Sequence, residues 1–214
     1  MRVFVVYCHP THDSLIGAAL ERTLRGLETA GHDVRLSDLY VDEFTPELSL
    51  AERAQIMIDH REQPEVRADL AGYINNLQWC DSLVLVYPTW WGGQPAMLKG
   101  WLDRVLVPGV AYEVPAGAER ISPLLHNVRT LVAITSHGST KWVNTLQGEP
   151  GKRTVSRSLR AVCHRRCRSQ WIAIYDTDRC SDSRRQRFLE RVERKMRSLP
   201  ERRTSAPAND LVSA

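Results

Sequence analysis

Several features that would assign a chain to a common protein class are missing from this sequence. No apolar run approaches the ~18 residues that span a bilayer, and the N-terminus has no cleavage-type ending, so we expect neither a membrane span nor a signal peptide. The five cysteines form no CxxC pair and no second pair of zinc ligands. We therefore expect no metal site, and free thiols in a reducing, cytoplasmic setting. Walker A and GxGxxG loops are also absent, which disfavours ATP-binding and Rossmann-type proteins.

Length and composition are those of an ordinary globular protein. The chain has 214 residues, of which 43% are hydrophobic and 25% charged. A chain of this size can bury a core without disulfides or metal. We find no internal repeat and no linker, so we expect one domain over residues 1–199, followed by a disordered polar tail over residues 200–214.

The net charge of +4 hides an uneven distribution. Residues 1–150 carry 12 Lys and Arg against 18 Asp and Glu, whereas residues 151–214 carry 17 against 7. A basic half raises nucleic acid as a partner, but no helix-turn-helix, zinc-finger or RNA-binding aromatic motif is recognisable, so we expect no nucleic-acid function. The alternatives are solvated helix faces, pairing with the acidic half across a dimer, or attraction of an anionic dinucleotide, with Arg165, Arg166 or Arg168 favouring NADPH.

Strand and helix signals alternate along the chain. Strands are predicted at residues 2–7, 33–37, 82–87, 130–135 and 170–175. Helices are predicted at residues 13–30, 95–106, 153–164 and 182–199, with two more at 50–61 and 65–78 and a long connection over 107–127. This alternation predicts a doubly wound parallel α/β fold. In such folds ligands bind beyond the carboxyl ends of the strands.

Three loops follow predicted strands at that edge, and each has its own chemistry. Residues 8–15 join a buried strand to a helix N-terminus, whose N–H groups and dipole attract anions. Residues 87–95 hold two adjacent tryptophans beside small glycines, which suits a flat ring. Residues 135–140 are rich in hydrogen-bond donors. Each loop alone is compatible with a turn that binds nothing, but together they describe a flavin nucleotide: its phosphate, its ring and the polar edge of the ring.

One long segment, residues 87–104, contains the pattern P-x-x-W-x-x-x-P-x-x-L-K-G-W. Shorter motifs are His9-Pro10 with Ser14, residues 38–49 and residues 146–148. With these motifs the chain resembles the NAD(P)H:quinone oxidoreductase branch of the flavodoxin-like superfamily over residues 1–199. The resemblance implies a flavodoxin-like, doubly wound five-stranded parallel sheet of order 2-1-3-4-5, with helices on both faces.

The resemblance also assigns residues to an FMN or FAD that is bound tightly but non-covalently. The phosphate would lie on Ser14, Leu15, Ile16 and Ala18, with His9 beside it. The flavin ring would lie against Pro88, Thr89, Trp90, Trp91 and Gly92, and its pyrimidine side against Thr135, Ser136, His137 and Gly138. Members of the family form homodimers whose sites are completed by both subunits, so we expect a homodimer.

The activity implied by the resemblance is that of an NAD(P)H dehydrogenase (quinone)-like enzyme. A hydride would pass from NAD(P)H through the flavin to a quinone or another flat electrophile, with ping-pong kinetics. Trp91 and His137 are the catalytic candidates, with His137 as proton donor. Two departures bear on that chemistry, because Asn144 and Pro150 stand where mammalian members have a Tyr and a His that assist hydride transfer. In addition, Gly92 replaces an aromatic residue.

The alternative function is a flavin-binding electron carrier or a regulatory subunit, since some relatives are ancillary subunits of membrane transport systems. Electron-carrier flavodoxins have a Thr/Ser-rich first loop and an acidic surface, whereas this chain has His9-Pro10 and a basic C-terminal half. The sequence leaves open the electron acceptor, the choice between FMN and FAD, and the choice between NADH and NADPH.

Overall fold

The structure is a computed structural model, and it describes residues 1–115, 117 and 120–200. The strands are β1 (Arg2–Tyr7), β2 (Asp33–Asp38), β3 (Ser82–Pro88), β4 (Tyr112–Glu113), β5 (Ser122–Pro123), β6 (Thr130–Ser136) and β7 (Arg168–Ile174). The α-helices are α1 (Leu15–Thr29), α2 (Leu50–Ala54), α3 (Ala71–Trp79), α4 (Ala96–Val105), α5 (Lys141–Leu146), α6 (Pro150–Arg153) and α7 (Asp182–Arg197). Apart from its first residue, the tail predicted to be disordered lies outside the described residues.

Five strands form one parallel sheet in the order β2-β1-β3-β6-β7. Numbered as the five predicted strands, this order is 2-1-3-4-5, so the predicted fold class is confirmed. All seven residues of β3 are buried, as expected for a central parallel strand that is covered on both faces. The strands β2 and β7 form the two edges of the sheet.

Helices cover both faces of the sheet, and each face has its own apolar core. On one face α1 and α7 pack over strand residues such as Val5 and Val84. On the other face, residues of α3 and α4 pack over strand residues such as Phe4 and Leu85, and Trp101 of α4 is completely buried. Successive side chains of a strand point to opposite faces, so each central strand contributes to both cores.

The segment between β2 and β3 differs from the prediction. The helix predicted over residues 50–61 ends at Ala54, and turns follow in which the Arg61 amide and Nε donate to Oδ1 of Asp59 (2.9 and 2.8 Å). The helix predicted over residues 65–78 begins as a 3₁₀ segment, Pro64–Leu70, and becomes α-helical only in α3. Local bonds between side chains and backbone, together with the proline, compete with helix propagation here.

Two further differences lie in the second half of the chain. The helix predicted over residues 153–164 begins earlier, at Pro150, and continues from α6 through a π-helical segment, Thr154–Leu159. The connection predicted over residues 107–127 contains the two-stranded hairpin of β4 and β5, and α5 is not predicted at all. Hydrophobic periodicity needs longer windows than these short elements provide.

A buried ion cluster attaches the segment between β2 and β3 to α4. The Arg104 guanidinium donates to Glu52 (Nε to Oε1, 2.9 Å) and to Asp69 (2.7 Å), and the Glu52 side chain is 1% exposed. Burial raises the pKa of Glu52, but hydrogen bonds from Ser49 and Arg104 outweigh this effect, so the pKa lies below its ordinary value. Glu52 is therefore a buried carboxylate that depends on its partners for its charge.

The glycine of the L-K-G-W motif has a packing role at the same junction. A β-carbon at Gly100 would overlap the backbone and side chain of Pro46. Glycine thus allows the loop after β2 to lie directly on α4. Two motifs that are distant in the sequence are therefore partners in space.

The described residues show no helix that is long and apolar enough to cross a membrane. In the same part of the chain, no group of three or more His, Cys, Asp or Glu side chains is placed to hold a metal ion. All five cysteines are free and buried. Burial raises the pKa of Cys8 and of Cys80 to about 12, so these thiols are protonated at neutral pH.

Candidate functional site

A cleft of about 790 Å³ lies at the carboxyl ends of β3 and β6. Small-molecule sites are typically roughly 300–1,000 Å³. The lining consists of Thr89, Trp90, Trp91, Gly92, His137, Gly138, Ser139, Asn144, Gln147 and Asp178. The first six of these residues were predicted to bind the flavin, so two of the three predicted loops meet in one cleft.

Residues 90–93 form one side of the cleft as a tight turn. Trp90 and Gly93 exchange two backbone hydrogen bonds (3.2 and 3.1 Å), and Trp91 and Gly92 at the tip have φ values of +50° and +76°. Glycine adopts this left-handed region freely, but other residues are destabilised there by about 1–2 kcal/mol. The Trp91 side chain is fully exposed and that of Trp90 is 43% exposed. Strained backbone that carries an exposed aromatic ring is typical of a functional position.

The start of α6 anchors this turn from behind. The Gly151 amide donates to the Gly92 carbonyl (3.1 Å), and the Gln94 side-chain amide donates to the Gly151 carbonyl (2.9 Å). A β-carbon added at Gly92 would lie 3.5 Å from the Pro150 ring. Pro150, which occupies the position of a catalytic His in the resemblance, therefore packs beneath the turn.

His137 is the centre of a hydrogen-bond chain on the opposite wall. Its Nδ1 lies 2.7 Å from Oδ1 of Asn144, and its Nε2 lies 3.3 Å from Oγ1 of Thr89, which in turn lies 2.9 Å from Oγ1 of Thr135. The Asn144 side-chain nitrogen donates to the Thr140 carbonyl (2.8 Å), which leaves Oδ1 as the acceptor. Nδ1 therefore carries the imidazole proton, and Nε2 accepts from the Thr89 hydroxyl.

These surroundings hold His137 as a neutral imidazole. The residue is 6% exposed, and burial lowers its pKa despite the opposing effects of the Asn144 hydrogen bond and the Glu149 charge. Both ring nitrogens contact protein groups, so neither the Nδ1 proton nor the Nε2 lone pair is free for a ligand in this arrangement. The role of His137 as proton donor stays a prediction, and its contacts favour a role in positioning.

Tyr175 lies against His137, with the ring centroids 4.5 Å apart and the planes 21° from parallel. The Trp171 indole donates to the Tyr175 hydroxyl (3.3 Å), which donates to Oε1 of Glu149 (3.4 Å). Lys152 donates to the other oxygen of that carboxylate (2.8 Å). The imidazole is therefore held in place from several sides.

The first predicted loop leads into α1. The Ser14 hydroxyl accepts from the Gly17 amide (2.9 Å) and caps the helix. Asp13 is exposed, and its carboxylate does not serve as the cap. The amides of Leu15 and Ile16 belong to the first turn, which a helix leaves without intrahelical partners, and they make no hydrogen bond to the described part of the chain. These two amides are available to a phosphate.

Contacts on several sides hold this loop beside the cleft. The ring centroids of His9 and Trp90 lie 6.3 Å apart. This contact joins the first loop to the turn of residues 90–93, which we call the tryptophan turn. Nε2 of His12 lies 2.6 Å from Oδ2 of Asp38, at the end of β2. A β-carbon at Gly17 would overlap the His12 carbonyl, so glycine permits the close return of the loop over the helix.

Several predicted contact residues are turned inward. Thr135 is fully buried, and Pro88 is the buried last residue of β3. Ala18 is half-buried and its amide is bonded inside the first turn (2.9 Å). The Ser136 carbonyl accepts from the Thr89 amide (2.8 Å) and joins the two loops. None of these four residues lines the cleft.

Four lining residues were not among the predicted flavin contacts: Ser139, Asn144, Gln147 and Asp178. Asp178 follows β7, so a fourth strand end contributes to the edge. Its carboxylate would lie 3.2 Å from a β-carbon added at Gly138. The sequence does contain a signal for Asp178, because the polar run 176–178 directly follows the last predicted strand.

The arginines considered for NADPH selectivity lie elsewhere. Arg168 is the first residue of β7, and Arg165 and Arg166 precede it. A strand of seven residues spans about 20 Å. These arginines therefore lie at the amino end of β7, whereas the cleft lies at the carboxyl ends of the strands. Their position gives no support to contact with a dinucleotide bound in the cleft.

Comparison with known proteins agrees with this architecture. A family model described as a flavodoxin-like fold matches residues 1–199. The chain is similar to NAD(P)H dehydrogenase (quinone) 1 of Rattus norvegicus, with 30% identity over 166 residues that cover 72% of this chain and 60% of the rat protein. It is also similar to a ribosyldihydronicotinamide dehydrogenase-like protein of Penicillium crustosum, with 30% identity over 52% of this chain and 46% of that protein. The chain thus spans about half of the length of these curated relatives.

Solved structures show the same likeness over nearly the whole chain. The NAD(P)H:quinone oxidoreductase from Methanothermobacter marburgensis has a TM-score of 0.78 and 27% identity, covering 94% of this chain and 99% of that chain. Smu.1420 from Streptococcus mutans UA159 has a TM-score of 0.79 and 26% identity, covering 93% of this chain and 100% of that chain.

Proposed function

Because the chain belongs to the flavodoxin-like fold family, we propose that it is a flavin-dependent NAD(P)H oxidoreductase that reduces a quinone or another flat electrophile. The observation that carries this proposal is the cleft in which the Trp91 turn faces the His137 wall, beside the first turn of α1. The names of the rat and Methanothermobacter relatives are consistent with this activity. The other flavodoxin-like function, electron transfer without catalysis, needs the same cofactor. The experiment below distinguishes it from the enzyme by the oxidation of NAD(P)H.

The residues present fit a flavin nucleotide, either FMN or FAD. The unpaired amides of Leu15 and Ile16 would hold its phosphate, the residues of the tryptophan turn would contact its ring, and the loop after β6 would contact its polar edge. When bound, the flavin would supply hydride transfer from NAD(P)H to the acceptor, in a ping-pong sequence.

The protein's own groups would bind and tune this chemistry. The amides of Gly138 and Ser139 make no hydrogen bond to the described residues, so they are available to stabilise negative charge in the cleft. His137 would keep its proton on Nδ1 and hold Thr89 and Asn144 in place. The exposed indole of Trp91 would cover the bound ring and exclude water.

Homodimer formation is part of the proposal. Three large exposed side chains belong to the segments that line the cleft: Trp91 is fully exposed, and Trp142 and Leu146 of α5 are 70% and 68% exposed. Exposed apolar side chains that group into a patch mark contact surfaces. Light scattering of the purified protein tests this part, with the mass of two chains as the expected result.

The test of the function starts from the visible spectrum of the purified protein and the identity of the flavin released on denaturation. We expect a yellow protein, a released flavin that is FMN or FAD, and catalytic oxidation of NAD(P)H when a quinone is added. A protein that retains flavin but does not oxidise NAD(P)H would instead be an electron carrier or regulatory subunit. A colourless protein that binds neither flavin would overturn both functions.

The expected cytoplasmic location also belongs to this proposal. Five free, buried thiols are consistent with a reducing compartment. Fractionation of the source cells, with detection of the native chain, tests the location directly.

A further inference from the structure

A second concave site lies on the side of the molecule, where α7 runs beside the edge strand β7. Its volume is about 440 Å³, and its lining consists of Lys141, Ala173, Ile174, Tyr175, Arg184, Arg187, Phe188, Arg191 and Arg194. We call this site the arginine groove. Five of the nine lining side chains are cationic and none is acidic.

The four arginines of the groove share one face of α7. Their spacing of three, four and three residues places them along about 15 Å of helix. The Arg191 guanidinium donates to the Ala173 carbonyl of the edge strand (2.6 Å), which fixes one of the charges in the groove. Lys141, at the start of α5, adds a cation from a second element.

The acidic residues of α7 form no ion pair with the groove arginines. Asp182 pairs with Arg185, and Glu193 pairs with Arg22 and Arg197. Glu190, three residues after Arg187 and four before Arg194, instead accepts a hydrogen bond from the Gln186 side chain (3.2 Å). None of the four groove arginines forms an ion pair with a described carboxylate. Like charges at helical spacing destabilise a helix, so a bound anion would relieve repulsion among the four arginines.

The groove adjoins the flavin cleft. Tyr175 lines the groove and stacks on His137, which lines the cleft. Lys141 follows Ser139, another cleft residue, by two positions. The two sites are therefore separated by little more than one pair of stacked rings, and one extended ligand could occupy both.

We propose that the arginine groove binds phosphate groups of a small anionic ligand. Guanidinium groups recognise phosphate through paired, charge-assisted hydrogen bonds, and the concave surface brings several of them to one place. One source of the phosphate is the dinucleotide NAD(P)H with its nicotinamide in the cleft, and this source rests on the proposed function. The other is a separate phosphorylated molecule.

The test uses the full-length protein in its flavin-loaded form and two non-redox probes, pyrophosphate and 2′,5′-ADP, titrated by calorimetry at low salt. The groove variant combines Arg184→Gln with Arg187→Gln, both exposed side chains. The control combines Arg165→Gln with Arg166→Gln, which removes the same charge from exposed positions just before the amino end of β7, away from the groove at its carboxyl end. We expect the groove variant to weaken probe binding by about tenfold or more and the control to change it less than about twofold.

Either of two results would overturn the proposal that the arginine groove binds phosphate. If the wild-type protein binds neither probe, or if both variants weaken binding equally, the basic charge acts only as a diffuse field. Because the probes carry no hydride, this outcome leaves the proposed redox activity untouched, and loss of redox activity would not remove probe binding.

Steady-state kinetics then separates the two sources of phosphate. A rise in KM for NADPH that matches the loss of 2′,5′-ADP affinity, with kcat unchanged, identifies the dinucleotide as the ligand. An unchanged KM for NADPH together with lost pyrophosphate binding identifies a separate phosphorylated molecule. Either result supports phosphate binding in the groove.

Discussion

The rings of His137 and Tyr175 stack with centroids 4.5 Å apart and planes 21° from parallel. His137 directly follows β6 and Tyr175 directly follows β7, so the contact is made at the carboxyl edge of two neighbouring parallel strands. The pair forms the partition between the candidate cleft and the arginine groove. A substitution of His137 or Tyr175 is therefore expected to affect both sites.

His137 is expected to be neutral at pH 7, with a pKa below the ordinary value of about 6.5, because burial disfavours its charged form. The unfolded chain then binds a proton that the folded chain resists, so the free energy of unfolding falls as the pH drops below about 6.5. Titration of the imidazole by NMR measures the pKa directly. A pKa of His137 at or above 6.5 would contradict the account.

Asn144→Asp is expected to reverse the sign of this shift. A carboxylate in place of the Asn144 amide oxygen would accept the Nδ1 proton and stabilise the imidazolium, which raises the pKa of His137. The same NMR titration reads the effect. Asn144→Leu is the matched control, since it removes the hydrogen bond without adding charge and should leave the pKa low.

Trp91→Gly is expected to stabilise the flavin-free protein and to weaken its ligand binding. Glycine adopts the φ of +50° at this position without strain, which is worth about 1 kcal/mol in the free energy of unfolding. Chemical denaturation and a flavin dissociation constant measure the two effects. Trp142→Ala, at another exposed tryptophan outside the turn, should not raise the free energy of unfolding. An equal rise in that variant would show that backbone strain is not the cause.

Gly17→Ala is expected to raise the flavin dissociation constant by about tenfold or more, because its β-carbon would displace the His12 carbonyl and the loop before α1. Fluorescence titration with FMN and FAD measures the affinity. Gly72→Ala is the control, since a β-carbon there meets no atom within 4 Å. Unchanged affinity in Gly17→Ala would show that the first loop does not hold the phosphate.

Arg104→Leu is expected to lower the free energy of unfolding by about 3–5 kcal/mol, because it leaves the buried Glu52 carboxylate without the cation that pairs with it. The contribution of Glu52 is present above the unfolded pKa of about 4.3 and is lost as the pH falls through its lowered folded pKa. The difference in the free energy of unfolding between variant and wild type should therefore be smaller at acidic pH. Urea denaturation at pH 7 and pH 4 measures it.

Lys99→Gln is the control for that variant on the same helix. Its ion pair with Asp103 is exposed, with side chains 55% and 48% accessible, so we expect a loss of less than about 1 kcal/mol. Equal losses for the two variants would mean that burial of the ion cluster is not what stabilises this junction.

The strands were predictable because parallel strands that are covered on both faces need nearly continuous apolar sequence, as in β1 and β3. The helices α1, α4 and α7 were predictable for a similar reason, since each has one long apolar face. The start of α2 also has a local signal, since Ser49 and Glu52 form a capping box. The early end of α2 at Ala54 and the six-residue helix α5 were not predictable, because hydrophobic periodicity needs longer windows than these segments provide.

The candidate site likewise has parts that were predictable from the sequence and parts that were not. The tryptophan turn and the loop after β6 were predictable, because polar or aromatic residues directly follow apolar strands at an edge where ligands bind. The Asn144 contact with His137 was not, since it depends on the position of α5 relative to β6. Nor could the sequence show that Thr135 faces inward while Thr89 reaches the cleft.

The central claim, flavin-dependent hydride transfer, is tested most directly by rapid mixing of the flavin-loaded protein with NADH or NADPH, followed by a quinone. We expect the visible absorbance of the bound flavin to be lost on the first mixing and restored on the second, at rates that account for steady-state turnover. A bound flavin whose absorbance is unchanged by both dinucleotides would contradict the claim.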